Sequence, residues 1–165
     1  FAGHETTINS IANGTLALLQ HPEQLEALKA DPSLIPTAIE ELLRYDGPIK
    51  TLIRYVNEDT ELGGHSVKAG ERVYLLNASA NHDPAVFVDP DSLDIRRSPN
   101  PHLAFGRGIH ACIGAQLARL EMRISIEKIL ERLPNLRLAP QEIHWHESIA
   151  ARAMDTLHVE HDARA

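Results

Sequence analysis

The residues best suited to chemistry lie in FGRGIHACIG, residues 105–114, which hold the only cysteine of the 165-residue chain. Cys112 stands between a glycine-rich turn and the start of an apolar-periodic segment, with His110 two positions before it. Backbone N–H groups at a helix start favour an anion, so a thiolate there is stabilised over a thiol. Gly106 and Gly108 permit backbone conformations that side chains block, and Gly114 leaves room beside the helix for a flat ligand. The pattern suits an exposed, activated sulfur on a shaped loop.

Four readings compete. A buried structural cysteine fits poorly with so many glycines and no apolar flank before it. A zinc site built on His110 and Cys112 lacks further ligands at familiar spacings. A nucleophilic Cys–His pair needs a third, orienting group that adjacent loop residues rarely supply. The remaining option is a single thiolate on the iron of a haem.

Two further groups sit at helical spacing. Glu41 and Arg44 in EELLR are three residues apart, ordinarily a surface pair worth about 0.2–0.5 kcal/mol. In AGHETT, residues 2–7, a glycine precedes an acid and an alcohol, which together supply a bend and a polar groove.

Several elements must position these residues. Residues 2–20 carry a helical rhythm of Ile8, Ile11, Leu16, Leu18 and Leu19, ended by His21-Pro22. A short helix over 22–31 and a third over 33–46 follow, the latter stopped by Gly47-Pro48. The β-branched run at 49–56 predicts a strand, and residues 60–76 predict hairpins turning at Gly63-Gly64 and Ala69-Gly70. A long irregular segment spans about 81–109, a length that points to function or special packing. The periodicity of 113–133 predicts a long helix, and short strands at 136–139 and 151–160 close the chain. The fold class is mainly α with small β-sheets (α+β).

Bulk properties narrow the function. A net charge of −7 without a basic stripe speaks against nucleic acid as a partner. One cysteine cannot form an internal disulfide, no apolar run approaches a bilayer span, and the start lacks a signal-like n-region, so the cytoplasm is the default compartment. The chain opens on Phe1 already in helical texture, which suggests an excised piece of a longer chain.

FGRGIHACIG resembles the haem-binding signature of the cytochrome P-450 superfamily, with Phe105, Gly106, Gly108, His110, Cys112 and Gly114 at its fixed positions. Glu41-Leu42-Leu43-Arg44 resembles the family's Glu-x-x-Arg, and AGHETT its distal-helix motif. The resemblance implies the C-terminal portion of a single cytochrome P-450 domain over 1–165, from the distal (I) helix onward, with the N-terminal portion absent. It implies haem b (iron protoporphyrin IX) with Cys112 as metal ligand and Phe105, Gly106, His110 and Gly114 as cofactor-binding loop residues. Arg54 and His102 align with positions that bind the haem propionates. Glu5 and Thr6 align with residues that deliver protons to O2. Glu41 and Arg44 would be buried with an arginine from the irregular segment, Arg97 or its rival Arg96; Leu93 stands where an aromatic is common.

The implied activity is a haem-thiolate monooxygenase inserting one oxygen atom of O2 into an apolar organic substrate, with electrons from NAD(P)H through redox partners. The style of NPHLAFGRGIHACIG is similar to that of soluble bacterial members, which implies a ferredoxin- or flavodoxin-type electron donor. Arg107, Arg119 and Arg123 are either a basic docking face for it or scattered surface charges. Residues 49–53 and 149–153 align with substrate-lining segments. The piece alone is expected to be inactive. The alternative is a non-catalytic haem-binding protein or remnant.

Overall fold

In the computed structural model, which describes residues 2–163, the core forms where three long helices cross. Phe1, on which the uncapped opening is read, lies outside the described residues. Helix α1 (Ala2–Gln20) runs unbroken and buries Leu16, Ala17 and Leu18. A short α2 (Pro22–Ala30), begun on Pro22, folds Leu25 and Leu28 back onto it. Helix α3 (Ile35–Asp46) presents Ala38, Ile39, Leu42 and Leu43 to the same core. A Cβ at Gly14 would lie 3.2 Å from Leu42 Cδ1, so this glycine permits the close crossing of α1 and α3.

The sheet departs from a simple series of hairpins. Strands β2 (Thr60–Leu62) and β3 (His65–Val67) pair around Gly63-Gly64, whose φ values of +55° and +82° suit glycine. The second turn does not return the chain to β3. Strand β4 (Arg72–Leu75) pairs with β1 (Leu52–Tyr55) instead, in antiparallel register from Leu52↔Leu75 to Tyr55↔Arg72. Hydrogen bonds Gly70 N→Val56 O and Val56 N→Glu71 O extend that ladder, so one hairpin nests inside the other. One turn of helix, α4 (Asn77–Ala80), follows and is not visible as periodicity in the sequence.

The irregular stretch from Asn81 onward is fixed by burial and by charge. Phe87, Leu93 and Ile95 are buried, Leu93 and Ile95 within the main core, so Leu93 fills space an aromatic would otherwise take. Helix α5 (Ala115–Arg132) then packs Met122 and Ile126 onto α1 and α3. Two-residue strands β5 (Arg137–Leu138) and β6 (Val159–Glu160) pair near the end, with isolated bridges Ile49↔Ala151 and Trp145↔Met154. The strand expected over 151–160 is thus reduced to its last pair and two bridges.

Glu41 is wholly buried and Arg44 is 1% exposed. Arg44 holds the carboxylate bidentately, Nε to Oε2 and Nη2 to Oε1, both at 2.8 Å. Arg97 Nε donates to both Glu41 oxygens at 3.1 Å, while Nη1 donates to Val88 O. Arg96 is exposed and its backbone N–H bonds Asp94, so Arg97 is the third member. The remaining Arg44 donors reach the carbonyls of Asn81, Pro90 and Ser92. Removing one partner of such a group leaves buried charge uncompensated. Arg97→Ala is therefore expected to cost about 3–5 kcal/mol in denaturant unfolding of the full-length protein. Arg96→Ala should stay within about 0.5 kcal/mol.

Candidate active site

The segment carrying Cys112 is clamped before it turns. Asn77 Nδ2 donates to Leu103 O at 3.0 Å and Leu103 N donates to Asn81 Oδ1 at 2.7 Å. Asn81 also accepts from Arg44 through its own carbonyl, so the buried ionic group and the loop share a residue. Neither asparagine stands out in the sequence, because only their placement at the start of α4 and just past its end gives them meaning.

Beyond Leu103 the loop is built on its own backbone. Gly106 and Gly108 have φ of +66° and +70°, the left-handed region that side chains disfavour. Gly106 N donates to Leu103 O, Ala111 N to Gly108 O, and Cys112 N to Phe105 O at 2.9 Å. A 3₁₀ turn at Gly108–His110 fills the tip, and Gly114 opens α5 without a side-chain cap. These bonds fold the loop on its own backbone while leaving the Cys112 side chain exposed.

A second charged cluster lies beneath the loop. Arg119 donates to both oxygens of Glu40, Nε to Oε1 at 2.6 Å and Nη2 to Oε2 at 2.9 Å. His102 Nε2 lies 3.0 Å from Glu40 Oε2, and Ala104 N donates to His102 Nδ1. The Arg119 guanidinium sits 4.5 Å over the Phe105 ring, with the His102 ring 6.2 Å away on a tilt. Burial pushes the Glu40 carboxyl up, but the bonds from His102 and Arg119 outweigh it and hold it down at about 2.

The cysteine opens into a largely apolar cleft of about 370 Å³ between α1 and the start of α5. Gly3, Thr6 and Ser10 form one wall, and Phe105, Cys112 and Gly114 form the other. Leu52 and Ile49 close one end. Thr6 Oγ1 donates to Ala2 O at 2.8 Å, and Ser10 Oγ to Thr6 O, so the wall is a polar groove on an unbroken helix.

The donor set and shape fit a haem. A Cβ on Gly114 would meet only Cys112 Sγ, at 3.9 Å, and one on Gly3 would meet nothing within 4 Å. The chain's own packing requires neither glycine; what they keep clear is the space above the sulfur. Ile109 and Ile113 stand fully exposed beside it, an apolar surface without cover from the described residues. Among those residues no three His, Cys, Asp or Glu side chains gather into a metal site, so the zinc reading finds no ligand set. No hydrogen bond joins His110 to Cys112 among them either.

The other residues singled out by sequence divide clearly. Phe105, Gly106, His110, Cys112 and Gly114 line the cleft together with Thr6. Glu5 lies exposed one position before Thr6 and does not line it. Arg54 shares the more buried face of β1 with the cleft residue Leu52, and its Nη1 bonds Ile53 O. His102 does not line the cleft: its side chain is 4% exposed and its ring nitrogens engage Glu40 and the Ala104 N–H below the loop. Of the three arginines weighed as a docking face or as scattered charges, Arg119 is paired with Glu40, and Arg123 lies 3.7 Å from Glu127. His144 and His146 are exposed. No helix among the described residues is long and apolar enough to cross a membrane.

Comparison with known proteins adds independent findings. The family model described as Cytochrome P-450 matches residues 1–142. The biotin biosynthesis cytochrome P-450 of Bacillus subtilis (strain 168) is 51% identical over 158 residues, covering 96% of this chain and 40% of that protein. The steroid C26-monooxygenase of Mycobacterium tuberculosis (strain CDC 1551 / Oshkosh) is 49% identical over 140 residues, 85% of this chain and 38% of that protein. The crystal structure of P-450BioI in complex with an acyl carrier protein ligated to hexadec-9Z-enoic acid superposes with a TM-score of 0.94. It is 50% identical, over 98% of this chain and 42% of that one. The chain spans about 40% of the length of the curated relatives it matches.

The Glu40 cluster has a pH signature. Its carboxyl is held at about 2 when folded, against 4.5 ordinarily, so its stabilisation is present above 4.5 and lost as pH falls toward 2. The stability difference between the full-length protein and its Glu40→Gln variant should therefore be level near neutrality. Denaturant unfolding from pH 7 to pH 3 is expected to show it shrinking below pH 4.5.

Proposed function

This chain belongs to the cytochrome P-450 family, and on that premise we propose that it is the C-terminal portion of one haem-thiolate monooxygenase domain. The observation that carries the reading is the Cys112 side chain exposed in a glycine-cleared apolar cleft, with its backbone N–H bound to Phe105 O. The family's cofactor is haem b, and Cys112 Sγ would be its protein ligand. Bound there, the haem supplies iron that activates O2, with the thiolate pushing electron density toward O–O cleavage.

The protein's own part is to bind, orient and supply protons. Phe105, Gly106 and Gly114 line the side of the cleft that would hold the haem. Arg54 on β1 and His110 at the loop tip offer charge-assisted donors to the two propionates. Thr6 Oγ1, parked on Ala2 O, is a hydroxyl that can turn its proton into the cleft. Glu5, exposed one residue earlier, takes protons from solvent and passes them toward it. Together they carry the two protons that reduction of O2 to water and one inserted oxygen atom requires.

The substrate side follows from the chain segments that meet beside the cleft. Lys50 N donates to Ala150 O and Arg152 N to Pro48 O, each at 2.8 Å, which brings residues 48–50 against 150–152. Ile49, Leu52 and Ile149 make that corner aliphatic, in keeping with a small apolar organic substrate. Electrons come from NAD(P)H through a ferredoxin- or flavodoxin-type donor in the cytoplasm. Arg107, exposed in the loop, offers a cation to receive it. The 165 residues alone are inactive, because the cleft is open where its lining residues Ile113 and Leu117 face solvent.

The reduced carbonyl spectrum of the full-length protein tests the assignment. A red-shifted Soret band of thiolate type is expected, and its absence overturns the reading. Cys112→Ala should abolish the band. Gly114→Val should lower haem content, with the unfolding midpoint of the apoprotein nearly unchanged. Thr6→Ala should keep the band, yet reduce product per NAD(P)H consumed by roughly a hundredfold, the low end of a positioned proton donor's contribution. A haem band without NAD(P)H-driven product would point to binding alone.

A further inference from the structure

Glu40 is the one carboxylate beneath the loop that no part of the proposed function uses. It neighbours Glu41 in sequence but faces another way, as successive helix residues must. Its two partners come from opposite sides of Cys112: His102 lies ten residues before it and Arg119 seven after. Both partners also flank Phe105, the residue whose carbonyl receives the Cys112 N–H. One side chain on a rigid, core-packed helix therefore ties together both arms of the loop and the ring at its base.

Charge gives the arrangement a second consequence. Arg119 is a permanent cation on the first turns of α5, and Glu40 engages it through two parallel bonds. Without Glu40 that cation would face the loop uncompensated in a partly buried place. Charges so placed are weakly screened, and a nearby positive charge stabilises the electron-richer state of any redox centre.

We propose that Glu40 is a positioning residue for the thiolate loop, bracing His102 and Arg119 on either side of Cys112 and cancelling the Arg119 charge beneath it. The inference rests on the reading of Cys112 as haem ligand. Tying both arms to one carboxylate fixes the height of the sulfur in the cleft. Compensating Arg119 keeps the iron harder to reduce than it would be above a bare guanidinium.

The test uses the haem-loaded full-length protein and measures the ferric/ferrous midpoint potential together with the reduced carbonyl spectrum. Glu40→Gln should move the potential positive, by about threefold or more in the one-electron equilibrium constant, and Glu40→Asp should restore most of it. Arg119→Gln should move it negative, and the double variant should return toward the parent value. Glu26→Gln, which loses only the exposed pair with Lys29, should move nothing. A potential unmoved in both single variants, or moved in the same direction by both, overturns the proposal, even if melting temperatures fall. If Glu40→Gln does not fold, the sign for Arg119→Gln decides. A parent protein that lacks the thiolate-type band overturns the reading of Cys112, and this inference with it. A parent that shows the band while the variants leave the potential alone overturns only the role given to Glu40.

Discussion

The buried Glu41 carboxylate is the constraint around which the rest is arranged. A charge removed from water is tolerated only when its lone pairs are taken by donors held in good geometry. Arg44, Arg97, Asn100 and the Asp94 N–H provide them, from α3 and from the irregular segment. Some twenty residues with little regular structure of their own become ordered because their carbonyls are what Arg44 and Arg97 still need. Backbone that would be a mobile loop elsewhere is here the second coordination layer of one ion group.

That ordering is handed on to the sulfur by short steps. Arg44 holds Asn81, Asn81 holds Leu103, Leu103 starts the turn, and Phe105 receives the Cys112 N–H. These hydrogen bonds are joined by short stretches of chain, so the position of Cys112 is set from the helix core outward. The neighbouring Glu40 acts from the same helix on a different side, about 100° around the axis. A pair of consecutive carboxylates thus serves two separate clusters, one wholly buried and one half open.

Much of this was legible before any coordinates. The long helices follow from apolar spacing, and the glycine pattern around Cys112 states the positive φ values at Gly106 and Gly108 almost directly. Glu41 and Arg44 carried weight only through family resemblance, since spacing alone describes an ordinary surface pair. The nested hairpin was hidden because strands of three or four residues have no register of their own until long-range partners choose one. The contact of His102 with Glu40 was hidden for a related reason, since which side of the loop its ring takes is a tertiary fact. Glu40, Asn77 and Asn81 were passed over because polar residues on short helices look solvated unless their partners, dozens of residues away, are known.

The exposed sulfur and its enclosing network answer one physical problem. A thiolate must reach a ligand through open space, so no packing can hold the side chain itself. Rigidity has to come from the backbone on both sides. A tight loop with left-handed glycines solves the direction but weakens the backbone, because glycine gains most from unfolding. The Leu103 clamp, the Phe105–Cys112 hydrogen bond and the cation over the Phe105 ring each limit that freedom from a different side. What makes the loop fit for a ligand is therefore less the cysteine than the number of independent contacts that leave its backbone one conformation.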